Sequence, residues 1–61
     1  MAQITAKELT AISDLLTMEE TLAAKCCKLA SECTDSVLKN QYEQVAQMHR
    51  QHYDELFANL K

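Results

Sequence analysis

Apolar residues recur through the first half of the chain with gaps alternating between three and four. The row is Leu9, Ile12, Leu16, Ala23, Cys26, Ala30 and Cys33, with Glu19 standing in the same line. Lys7, Thr10, Asp14, Thr17, Thr21, Lys25, Lys28 and Glu32 fall on the opposite side. That spacing follows the 3.6-residue period and predicts one long amphipathic helix. Its start is marked by Thr5-Ala6-Lys7-Glu8, which has the form of a capping box, with Ile4 and Leu9 placed as a hydrophobic staple. A second apolar row, Leu15, Met18, Leu22 and Leu29, widens the stripe on one flank. Contact with a single neighbour does not need that second row. It implies a third helix, most economically from another copy of the chain.

The one plausible break is Ser31-Glu32-Cys33-Thr34-Asp35-Ser36, where Thr34 or Asp35 can cap a second helix. Beyond it Leu38, Tyr42, Val45, His49, His52, Leu56 and Leu60 point inward, and Lys39, Asn40, Glu43, Gln47, Arg50, Gln51 and Asp54 outward. Two helices joined by so short a connection pack antiparallel. The expected fold is therefore all-α: one domain over 1–61, an antiparallel hairpin of helices at about 5–33 and 36–60. Two such hairpins are expected to dimerise into a four-helix bundle.

Composition agrees and narrows the partners. The chain has no Gly and no Pro, so the usual residues of tight turns and strand ends are missing. Its 61 residues are few for a self-sufficient core, which again favours a homodimer or higher homo-oligomer. The net charge of −3 is spread along the length, without the basic patch that nucleic acid requires. No apolar run is long enough to span a bilayer, and Met1-Ala2-Gln3-Ile4-Thr5 does not read as a signal peptide. Cytoplasmic synthesis is the expectation.

The candidate chemistry lies in Glu19, His49 and His52. His49 and His52 are three residues apart and share a helix face. Glu19 and His49 each lie 15 residues from Thr34, so in a hairpin turning there they sit at one height. Two copies would gather two carboxylates and four imidazoles, a donor set suited to a divalent ion such as Zn or Fe. The same groups could instead satisfy one another as a metal-free polar layer that fixes pairing. Both readings stay open at this stage. Tyr42 and Tyr53 flank the group, either as packing or as hydrogen-bond donors behind it.

Cys26, Cys27 and Cys33 offer an alternative thiol site or a cross-link between chains. Within a regular helix neither Cys26–Cys27 nor Cys26–Cys33 could close a disulfide. Cys26 and Cys33 read chiefly as core residues. Cys27, at the border of the stripe, is better placed to join neighbouring molecules.

Two segments carry a family resemblance. The first is Thr5-x-Lys7-Glu8-Leu9 with Ile12-x-x-Leu15-Leu16-Thr17-Met18-Glu19 and Leu22-x-x-Lys25. The second is Thr34-Asp35-x-x-Leu38-Lys39 with Val45-Ala46-x-x-His49-x-x-His52-Tyr53-x-x-Leu56. Together they resemble small proteins related to the spore coat protein F (coat F) domain of the ferritin-like superfamily. The resemblance implies a ferritin-like helical bundle, a structural role in the spore coat, and other coat proteins as partners. Where a ferritin-like helix carries Glu-x-x-His, this chain has His49-x-x-His52, which removes a bridging carboxylate and points away from oxidase chemistry. The reading that results is a structural, self-assembling protein, with metal storage or sensing as the alternative.

Overall fold

The computed structural model describes residues 4–60; the expectation about Met1, Ala2 and Gln3 lies outside them. It is an all-helical hairpin with no strand among the described residues: α1 spans Ala6–Glu32 and α2 spans Ser36–Ala58. The helices pack side by side in a body 47 × 16 × 10 Å in extent.

Each helix begins where its sequence supplies an acceptor for free N–H groups. At α1 the capping box is complete. The Glu8 N–H donates to Thr5 Oγ1 at 3.1 Å, and the Thr5 N–H donates to Glu8 Oε1 at 3.1 Å. At α2 Asp35, rather than Thr34, is the cap: its Oδ1 accepts from the N–H groups of Val37 at 2.9 Å and Leu38 at 3.0 Å. The connection is Cys33, Thr34 and Asp35, with extended backbone at Cys33 (φ −82°, ψ 131°) and Asp35 (φ −83°, ψ 118°). No residue adopts a positive φ among the described residues, which explains how a chain without glycine makes this reversal. α2 closes at Ala58, two residues before the expected Leu60, with Asn59 as its cap.

Among the described residues only Ala23, Ala30 and Ala46 are buried. They let the two helices approach closely, and half-buried Ile12, Leu16, Cys26 and Cys33 continue the seam on α1. Along α2 and just beyond it the covered positions are Tyr42, Ala46, His49, His52, Tyr53, Leu56 and Leu60, so Ala46 and Tyr53 join the expected row and Leu38 and Val45 leave it. Val45 and Leu38 are exposed, as is Leu9 on α1, so these three expected core residues are corrected to surface positions. Hydropathy favoured Val45, but close packing of two helices selects the small Ala46 beside it.

The exposed apolar residues are not scattered. Leu15, Leu22 and Leu29 repeat every seven residues on α1, as do Leu38, Val45 and His52 on α2. Leu15 and His52 line the same shallow groove, so both rows lie on one broad face of the hairpin. Leu15, Leu22, Leu29, Leu38 and Val45 are all exposed there, with Met18 and Met48 beside them. The opposite groove is lined by Glu19, Glu20, Ala23, Ala24, Arg50, Tyr53 and Asp54. Among the described residues no helix is long and apolar enough to cross a membrane.

Candidate functional site

Glu19 comes from the middle of α1 and the two histidines from α2. His49 Nδ1 lies 2.5 Å from Glu19 Oε1, and His52 Nδ1 lies 3.1 Å from Glu19 Oε2. The height match inferred from the turn therefore brings together all three expected residues. An ionised carboxylate only accepts, so each Nδ1 carries the proton and donates to its own oxygen. The short His49 contact is of the charge-assisted kind. The imidazole rings meet edge to face, 6.0 Å between centroids and 82° between planes.

Burial grades the group. The side chains of Glu19 and His49 are each 17% exposed, whereas that of His52 is 43% exposed and opens onto the apolar face. No buried side-chain nitrogen or oxygen lacks a hydrogen-bond partner among the described residues. A partly buried carboxylate with both oxygens engaged is satisfied as it stands.

One donor atom from each of Glu19, His49 and His52 lies within 4.8 Å of the others. A carboxylate and two imidazoles are ordinary ligands of Zn and of other divalent transition metals, so the donor set fits such an ion. Three donors from one hairpin leave at least one position of a tetrahedral ion open. No second cluster of three or more His, Cys, Asp or Glu ligands forms among the described residues.

The thiols are dispersed. Cys26, Cys27 and Cys33 are all free and half-buried. Cys33 Sγ lies 3.4 Å from the Asp35 carbonyl oxygen, tucked against the turn. Cys27 Sγ receives Arg50 Nη2 at 2.7 Å. Sequence reasoning placed Arg50 in water and did not foresee that pairing. The signal was available in part, because Arg50 follows His49 on α2 and therefore lies one step round the helix from the seam. Tyr53 stacks on Phe57, centroids 6.2 Å apart and planes 9° from parallel, and belongs to packing rather than to the carboxylate.

Compared with known families, curated proteins and solved structures, the chain finds no match.

Proposed function

We propose that this chain is a structural, self-assembling protein. Its hairpin pairs with a second copy through the apolar face to form a four-helix, ferritin-like bundle of the spore-coat type that its motifs resemble. Pairing brings the Glu19–His49–His52 layer into the interior, where it sets how the copies meet. The observation that carries this reading is the contrast between a buried core of three alanines and a one-sided face of exposed Leu15, Leu22, Leu29, Leu38 and Val45. Seen flat, a face of 47 × 16 Å offers about 750 Å² in projection. Stable complexes bury about 800 Å² on each partner, so the face is of the size a dimer needs. A second copy fits because the face holds no charged row that calls for an opposite one. Sedimentation equilibrium tests the pairing: a dimer is expected at micromolar concentration, and a folded monomer throughout would end the proposal.

A metal-binding role is the second reading, favoured by the donor atoms clustered within 4.8 Å. Elemental analysis of dimer purified without chelator separates the two, since a purely structural layer carries no stoichiometric metal.

A further inference from the structure

The apolar face changes character along its length. Leu15 and His52 line one shallow groove, which sets them level on α1 and α2. Seven residues nearer the turn on each helix stand Leu22 and Val45, and seven nearer again Leu29 and Leu38. Seven residues give the same rise on both helices, so the three pairs form successive rungs. The two rungs near the turn are wholly aliphatic, and all four of their side chains are exposed. The third rung carries an imidazole. Beyond it the α2 row continues to Asn59, with Glu55 lining the same groove. The face is therefore aliphatic towards the turn and polar along α2 at the open end.

Two copies that meet through one patch are related by a two-fold axis. For face-to-face hairpins that axis runs either along the helices or across them. An axis along the helices sets both turns at one end and lays α1 of each copy against α2 of the other. Both aliphatic rungs then meet aliphatic rungs, and the two His52-bearing rungs meet each other. An axis across the helices sets the turns at opposite ends and lays like helices together. Only the Leu22–Val45 rung then meets its own kind, while His52 and Asn59 of each copy fall against the Leu29–Leu38 end of the other. Polar groups covered by aliphatic side chains lose water without gaining a partner. Gathered at one end, they keep a rim that water reaches.

Charge opposes this choice, but weakly. Acidic Glu8, Asp14, Glu20, Asp54 and Glu55 outnumber Lys7 and Arg50 in the open half, and turns at one end bring the two open halves together. All five acidic residues are exposed, and Glu20 and Asp54 line the groove on the far side from the partner. Repulsion between such solvated charges is largely screened beyond about 8 Å at physiological ionic strength.

We propose that the second copy docks with its turn at the same end, about a two-fold axis parallel to the helices. The inference rests on the pairing proposed above and adds its orientation. The pair then has two unlike ends, one holding both turns and the other the start of both α1 helices and the close of both α2 helices. Any further assembly is end-specific.

The test is the distance between nitroxide labels by double electron–electron resonance. The full-length chain carries Cys26→Ala, Cys27→Ala and Cys33→Ala, with one label site added: Thr34→Cys at the turn, Ala58→Cys at the close of α2, or Gln47→Cys near mid-length of α2. Circular dichroism and sedimentation check that each variant stays helical and dimeric. Labels at Thr34 are expected one or two helix diameters apart, roughly 10–25 Å, and so are those at Ala58. Opposite ends would instead separate both pairs towards the hairpin's full 47 Å length. Gln47 labels are close in either arrangement and report the pairing itself. Long Thr34 and Ala58 distances with a short Gln47 distance overturn the orientation and leave the pairing intact. A monomer without dipolar coupling at Gln47 overturns both.

Discussion

Leu22 and Leu29 provide the sharpest test of how the apolar face is used. In the isolated hairpin they are 39% and 42% exposed, so about two-fifths of each side chain remains to be covered by a partner. Burying a whole leucine side chain is worth about 1.5–3 kcal/mol, which puts the uncovered part at roughly 0.6–1.2 kcal/mol. Replacing both by Gln keeps helix propensity nearly constant and removes four such contributions from a symmetric pair. The loss is then roughly 2–5 kcal/mol, and at about 1.4 kcal/mol per factor of ten the dimer weakens from about thirtyfold to a few thousandfold. Sedimentation equilibrium across a concentration series measures the shift directly.

The control is Leu9→Gln with Phe57→Gln. These two are as exposed, at 49% and 48%, but lie on the other side of the hairpin. Leu9 is eleven residues, three turns, before Glu20, and Phe57 seven residues, two turns, after Arg50, and both Glu20 and Arg50 line the opposite groove. Exposed hydrophobicity alone predicts equal effects of the two double variants. Pairing through one face predicts a dimer weakened only by the Leu22 and Leu29 changes. Equal weakening, or an unchanged dimer in both, would refute the reasoning.

Three further outcomes follow from the caps and the thiols. Asp35→Ala removes the acceptor of two N–H groups at the start of α2 and should cost about 0.5–2 kcal/mol in thermal or urea unfolding, while Thr34→Ala should cost far less. Glu8 titrates below the ordinary carboxylate value, because the Thr5 backbone N–H and then the Thr5 side chain bond to it, against a small opposing effect of burial. A lowered folded value means that its contribution is complete above the unfolded value of about 4.3 and is lost as pH falls through the folded one. The difference in Tm between wild type and Glu8→Gln should hold steady from neutral pH to about 5 and shrink below that. On mild oxidation, non-reducing electrophoresis should show covalent dimers that disappear in Cys27→Ala and persist in Cys26→Ala, since Cys26 lies in the helix seam and Cys27 faces Arg50 at its border.

The parts of the structure legible in the sequence are those governed by local chemistry or by counting. Thr5 and Glu8 announced the start of α1 because a capping box needs only two residues at fixed spacing. Glu19 met His49 because equal distance from a turn fixes equal height in any hairpin, whatever the packing. The α2 seam was legible only to within one position. Val45 outranks Ala46 in hydropathy, yet it is Ala46 that is buried, because close approach of two helices rewards the smaller side chain. That displacement also moved His52 from the expected centre of the interface to the edge of the exposed face. The Arg50–Cys27 contact depends on the rotamers of two border residues, which periodicity does not encode.

The position of the polar layer bears on what it is for. Within one hairpin the register of α1 against α2 is already fixed by the three-residue connection Cys33–Asp35, which leaves no slack for a slip of a turn. A part-buried Glu–His–His layer is therefore unnecessary for pairing the two helices of a single chain. It is also no source of stability relative to well-packed apolar residues, since desolvating such groups offsets much of their attraction. The pairing of two copies is different, because nothing covalent sets their offset and heptad rows of leucine tolerate a seven-residue slip. A polar layer at one height penalises that slip by placing His52 of one copy against aliphatic side chains of the other. Under the proposed pairing, Glu19, His49 and His52 thus act where the chain has no other means of specifying register. A Glu19→Leu, His49→Leu, His52→Leu variant is expected to remain helical and associated, but to lose its single dimeric state for a mixture of species in sedimentation velocity.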